Sequence, residues 1–273
     1  MNYDPAGKPR VAKDDIKDAL RQLGVAEGDA LFAHSSLSAF GYVEGGADAV
    51  VDALLETVGE GGTVALPTFT WGAFHAQERV VFDVKRTPSD CGRITEVFRK
   101  RPGAMRSAHV CHSVAAIGPR AEKIMGEGVK SFGEGSSLHR LYRMNSWYLL
   151  LGVGFKSCTA LHTVEEMAQV PYRQYRGFEG STVVLADGSE APCRCVEYLR
   201  LPGYRNDFNR VEPLLAEAGV LRERRVGAAR IVNARMREIV DTVMARVEQD
   251  AGFLLDDESR ARLASEMLGR QMP

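Results

Sequence analysis

Apolar positions recur along this chain with two alternating periods. Ile16, Leu20 and Leu23 fall at helical spacing, and Gly24 stands where a left-handed cap would close the helix. Asp29 to His34 reads as a short buried strand and Ser35 to Ser38 as a turn. Val50 to Val58 reads as a helix with Val51, Leu54 and Val58 on one face, and Thr63 to Leu66 as a second strand. Ile94 to Lys100 is predicted helical, His112 to Ile117 extended, and Pro119 to Met125 helical with proline in a favourable first position. Trp147 to Gly154 is apolar on both faces, as a central strand covered by helices on each side should be, and Thr159 to Gln169 follows it as a helix. Ser181 to Ala186 and Ala191 to Tyr198 flank Asp187-Gly188, which predicts a hairpin added to the sheet or laid beside it. Asn233 is placed to cap a helix whose Met236, Ile239, Val243 and Val247 form a stripe, with Arg235, Arg237, Arg246 and Glu248 outside it on a solvated face.

This alternation predicts an α/β fold, a layered mixed β-sheet with helices on both faces and an added β-hairpin subdomain. No repeat, low-complexity segment or linker interrupts the chain, so residues 1–273 read as one domain, with the hairpin-bearing part at 171–230. The 273 residues are 45% hydrophobic, too apolar for a disordered chain. Lys and Arg total 35 against 36 Asp and Glu, and a net charge of -1 offers no field for nucleic acid. The longest apolar run, Trp147 to Phe155, is far short of the roughly 20 residues that span a bilayer. The first residues carry no secretory pattern, and an odd count of 5 Cys suits a reducing compartment, so the expected location is the cytoplasm. Cys193 and Cys195 form a Cys-x-Cys pair while Cys91, Cys111 and Cys158 stand alone, so no metal is expected.

Several cofactor signatures fail. Gly152-Val-Gly154 follows a strand, but Ser157 occupies the third glycine position of a dinucleotide fingerprint. No phosphate loop, GxSxG or HExxH occurs. Two places carry chemistry. His34-Ser-Ser-Leu-Ser38 leaves a strand and leads to Gly45-Gly46 at a helix start, where hydroxyls and amides either bind phosphate or satisfy local backbone groups. Thr159-Ala-Leu-His162-Thr-Val-Glu165 puts a histidine and a carboxylate three apart on one helix face, as a surface ion pair or as a base held ready for a proton.

These blocks stand in a specific order. His34 to Val50, Leu66-Pro-Thr68, Thr87-Pro-Ser89, Arg106-Ser-Ala-His109 with Ser113, Gly133-Glu-Gly-Ser-Ser-Leu138 and Leu150-Leu-Gly-Val-Gly154 are followed by Thr159 to Glu165. Over roughly residues 10 to 250 the arrangement resembles the antibiotic N-acetyltransferase family typified by aminoglycoside 3-N-acetyltransferases. The resemblance implies an acetyl-CoA-dependent acyltransferase with the family's own α/β fold. The pyrophosphate pattern of the commoner acetyltransferase fold matches by letters at Arg21 to Ala26 and Arg224 to Ala229, but neither match has the strand-to-helix setting that would aim amides at a phosphate.

On this resemblance the substrate is an aminoglycoside acetylated on its 3-amino group, with resistance as the outcome and a homodimer as a compatible assembly. His162 is expected to act as general base and Glu165 to hold it. Ser35, Ser36, Leu37, Ser38, Thr68, Ser107 and Val110 are carried over as contacts to acetyl-CoA, with Val110 replacing the family's usual proline. Trp71, Glu134 and Glu166 are expected at the acceptor, where polycations call for acidic walls. Three rivals are kept in view: a covalent route through Cys158, a biosynthetic acyltransferase acting on a non-antibiotic amine, and a non-catalytic binding protein.

Overall fold

The computed structural model describes residues 7–72 and 79–271. Seven strands form the main sheet: β1 (Ala30–Ser35), β2 (Thr63–Pro67), β3 (Met105–Arg106), β4 (Val114–Ile117), β5 (Trp147–Leu151), β6 (Arg222–Val226) and β7 (Ala229–Arg235). Their order is β6-β7-β5-β1-β2-β4-β3. The centre, β5-β1-β2, is parallel, and the flanking pairs on both sides are antiparallel. The mixed sheet predicted from the chain is the one found.

The period of two explains how the sheet is covered. Along β1, Leu31 and Ala33 face one core while Phe32 faces the other; along β5, Trp147, Leu149 and Leu151 alternate with Tyr148 and Leu150 in the same way. One face is covered by α1 (Lys13–Gln22) and α2 (Gly46–Val58), which bury Ile16, Leu20, Val50 and Leu54. The other is covered by α3 (Ala160–Met167) and α4 (Met236–Gln249), which bury Leu161, Val164, Ile239, Val243 and Val247. Helix α1 ends as its sequence demands, with Gly24 at φ +91°.

Two local readings need correction. Asn233 does not cap α4: the pairing of β7 with β5 continues to Arg235 opposite Trp147, so Asn233 is a buried strand residue whose amide donates to the Leu23 carbonyl. The helix starts further on, at Met236, with Glu238 reaching back to the Arg235 N–H. The predicted hairpin is also shorter than its sequence pattern. Thr182–Val184 pairs antiparallel with Glu190–Pro192, as Asp187-Gly188 requires, but Val196–Arg200 turns away to pair with Arg173–Gly177. Both pairs form small sheets beside the main one. Among the described residues no helix is long and apolar enough to cross a membrane.

Candidate active site

The C-terminal ends of β1 and β5 point the same way, and the two chemically informative segments leave from them. After β1 the chain makes a short turn at Leu37–Phe40, held by the Ser36 N–H donating to the Leu151 carbonyl. This turn packs on Gly152, where a Cβ would lie 2.5 Å from that of Ala39 and where φ is +70°. Glycine therefore lets the serine turn sit against the end of β5. Ser35, Ser36, Leu37 and Ser38 line a cleft of about 680 Å³ together with Lys8, Gly46, Cys91, Gly92 and Arg93. The hydroxyls and cations suit a phosphate-bearing ligand, and α2 begins at Gly46 on its wall.

A second cavity of about 350 Å³ adjoins the first, sharing Ser35 and Cys91. Its walls include His34, Phe69, Trp71, Lys156, Cys158, Thr159, His162 and Phe208. His162 comes from the first turn of α3, packed between the rings of Phe132 and Phe208. Its Nδ1 lies 2.6 Å from Glu165 Oε2, on the helix face the spacing predicts. Nε2 is bonded to none of the described residues, and the ring borders the cavity.

Glu165 is completely buried, which by itself would push its pKa up. Arg173 at 2.8 Å and the His162 ring outweigh burial and hold the carboxyl down to about 2. Tyr172 and Asn206 both donate to its other oxygen, at 3.0 and 2.7 Å. The Arg173 guanidinium shares Oε2 with the imidazole and so comes within 3.1 Å of His162 Nδ1. Burial and then this cation push the His162 pKa down to about 4, leaving the ring neutral at pH 7; a ring nitrogen 2.6 Å from an ionised carboxylate has to donate, which assigns the proton to Nδ1 and the lone pair to Nε2. Arg173, Tyr172 and Asn206 belong to no motif, and sequence reasoning misses them because they lie outside the helix that carries Glu165.

His34 lies across the cavity, its Nε2 2.9 Å from the Thr159 hydroxyl, and burial pushes its pKa down to about 3. The sequence marks it only as the first residue of the serine motif. Trp71 borders the cavity, with its backbone N–H on Asp90.

Thr68, Ser107 and Val110 are buried outside both cavities. The Thr68 and Ser113 hydroxyls lie 2.9 Å apart and both meet Arg106, Ser107 accepts the Val114 N–H, and the Val110 carbonyl accepts from Thr70. These bonds brace the segment that presents Phe69 and Trp71.

Glu134 is exposed and borders neither cavity. Glu166 is buried and accepts the Phe132 N–H and the Tyr175 hydroxyl. The structure thus brings neither acid to the smaller cavity.

His109, His112 and Glu197 form a buried cluster with ligand atoms within 4.8 Å of one another. Both His109 nitrogens are engaged, Nδ1 by the Cys111 and His112 N–H groups and Nε2 by the Val196 carbonyl, while His112 pairs with Glu197 at 2.7 Å.

The aminoglycoside 3-N-acetyltransferase family pattern matches residues 32–248, which include most of the lining of both cavities. The chain belongs to this family. Its members are acyltransferases. Aminoglycoside N(3)-acetyltransferase VII of Streptomyces paromomycinus is 31% identical over 276 residues, covering 91% of this chain and 93% of the relative. A histidine-to-alanine variant of aminoglycoside acetyltransferase AAC(3)-IVa in complex with a gentamicin superposes with a TM-score of 0.76 at 30% identity, covering 93% of this chain and 92% of the other. AAC-IIIb bound to CoASH gives 0.74 at 25% identity, covering 88% and 97%.

Cys158 lines the cavity but precedes α3 and is wholly buried, and burial pushes its thiol up to about 12. A thiol that stays protonated is a poor nucleophile. Cys158→Ser is expected to keep its activity, with intersecting initial-rate plots; parallel plots together with loss of turnover would establish the covalent route.

Proposed function

We propose that this protein transfers the acetyl group of acetyl-CoA to an amine, with the 3-amino group of 2-deoxystreptamine aminoglycosides as the leading acceptor class. The observation that carries the reading is the open Nε2 of His162, backed by a buried carboxylate, on a cavity that meets a serine- and cation-lined cleft at Ser35 and Cys91. The cleft suits the phosphates of CoA, and its junction with the cavity suits the thioester. The binding of CoASH by AAC-IIIb and of a gentamicin by the AAC(3)-IVa variant supports this reading.

In the transfer the amine nitrogen attacks the thioester carbonyl carbon, and the carbonyl electrons move to oxygen. Attack makes the nitrogen strongly acidic, so even a weakly basic neutral imidazole takes its proton at Nε2. The Nδ1 proton stays on Glu165, whose charge stabilises the imidazolium as it forms. Collapse breaks the carbon–sulfur bond, and the imidazolium returns the proton to the departing thiolate. The products are an amide and CoA thiol.

A thiol reagent that follows CoA release, with gentamicin, tobramycin, kanamycin and neomycin beside simple amines, tests this. Release with the aminoglycosides and a product mono-acetylated at the 3-amino group are expected. Tight CoA binding with turnover only on other amines would favour a second reading, a biosynthetic acyltransferase for a non-antibiotic amine. One observation favours that reading too: no carboxylate borders the acceptor cavity among the described residues.

A further inference from the structure

The Cys193-Arg-Cys195 pair that the sequence sets apart borders neither cavity. It joins Glu190–Pro192 to Val196–Arg200, strands that serve different small sheets. Hydrogen bonds hold this connection at both ends: the Cys193 N–H donates to the Ser181 carbonyl at 2.8 Å, and the Val196 N–H to the Val129 carbonyl at 2.7 Å. Arg194 is exposed, while the cysteines on either side of it both pack into one apolar cluster with Cys111, Val110, Phe82 and Phe178.

The two thiols are in hydrogen-bond contact with each other, but their settings are unequal. Cys195 is buried, with Sγ 3.1 Å from the Gly128 carbonyl and 3.6 Å from the Ala108 carbonyl, acceptors that keep its proton in place. Cys193 is half-buried, and the thiol and backbone N–H of Cys195 both favour its thiolate, holding its pKa below the ordinary thiol range. Burial pushes the thiols of Cys91, Cys111 and Cys158 the other way. Cys193 is thus the nucleophilic sulfur among the 5 cysteines, and it has a second sulfur beside it.

The structure assigns Cys193 and Cys195 as a redox-active dithiol that exchanges with low-molecular-weight disulfides and closes an internal disulfide. The Cys193 thiolate attacks one sulfur of the small disulfide, whose S–S bond breaks and releases one thiolate, leaving a mixed disulfide on Cys193. That step removes the negative charge that makes Cys195 hold its proton so firmly. Cys195 then gives up the proton and attacks the Cys193 sulfur, and the second small thiolate leaves. Two protein thiols are oxidised, one small disulfide is reduced to two thiols, and the two protein protons pass to the thiolates released. Excess small thiol reverses both steps.

The test treats the native protein with oxidised glutathione near neutral pH, quenches with acid, unfolds, alkylates the remaining thiols and reads intact mass and mapped peptides. The wild type is expected to end with Cys91, Cys111 and Cys158 alkylated, a Cys193–Cys195 disulfide and no glutathione mass, and to regain all 5 thiols on reduction. Cys195→Ser is expected to stop at one glutathione adduct, on Cys193. In the wild type Cys193 should react at least about tenfold faster than Cys91, Cys111 or Cys158, and unfolding in urea before treatment should erase that difference. The wild-type mapping needs no variant, so misfolding of Cys195→Ser cannot mimic the result. A full set of free thiols after treatment, a wild type that stops at the mixed disulfide, or adducts shared evenly with the other cysteines would overturn the inference. None of these outcomes touches the acetyl-transfer reading, whose steps use no cysteine.

Discussion

His162→Ala is expected to lower kcat by about 10²–10⁴-fold, the usual contribution of a positioned base, while the affinity for CoA stays at the wild-type value. The two functions separate because the ring borders only the smaller cavity, whereas Ser36, Leu37 and Ser38 border only the larger. Steady-state kinetics beside CoA titration measures both. An unchanged kcat would remove His162 from the chemistry, and a parallel loss of CoA affinity would make its role structural.

The pH profile should show the same residue in another way. Because the ring's pKa is pushed down to about 4, the imidazole stays neutral down to nearly that pH. The fall of kcat/KM on the acid side of neutrality is therefore expected to follow protonation of the acceptor amine, and to move when an acceptor of different basicity is used. A limb near pH 6.5 that is the same for every acceptor would assign an ordinary histidine pKa to the base.

The second large effect is expected at Arg173, which no motif marks. Arg173→Met leaves Glu165 buried without its cation, and breaking a buried pair in this way costs about 3–5 kcal/mol. Tyr172 and Asn206 still donate to the carboxylate and so moderate the loss. The pH dependence has a definite sign. Arg173 and His162 hold the Glu165 pKa at about 2, below the 4.5 of a free glutamate. The stabilisation this reflects is fully present above pH 4.5 and is lost as pH falls through about 2. The stability gap between wild type and variant, measured by urea unfolding, should be widest at neutral pH and should narrow as the carboxyl protonates in strong acid. Loss of the cation also lifts the His162 pKa, which an NMR titration of the imidazole should show. A variant with wild-type stability and an unmoved imidazole titration would mean that Arg173 does not hold the pair.

Much of the architecture was legible because its signals are local. The strand at Trp147–Leu151 is apolar on both faces because it lies between two helical layers, and it pairs in parallel with Ala30–Ser35 at the centre of the sheet. Where strand pairing competes with a local signal, pairing wins. Asn233 has the chemistry of a cap, but β7 extends past it, and Cys193–Cys195 separates one apparent strand into two that serve different sheets.

The site was legible in the same uneven way. His162 and Glu165 share one helix, and helical geometry alone brings them together. Ser35 to Ser38 leave a strand end, where loops meet ligands in α/β folds. Trp71 borders the smaller cavity. Glu134 and Glu166 have the charge that suits a polycation, but composition cannot tell an acid facing a cavity from one already bonded to a backbone N–H. Thr68, Ser107 and Val110 are buried in hydrogen bonds that brace the segment presenting Phe69 and Trp71.

The alternation of helix and strand, the two-sided core and the histidine–glutamate pair follow from the order of residues alone, since each depends on positions a few apart. The anchoring of Glu165 by Arg173, Tyr172 and Asn206 and the junction of two cavities at Ser35 and Cys91 both waited on the folded chain. They depend on which distant segments meet and which charges burial silences, and chain folding sets both.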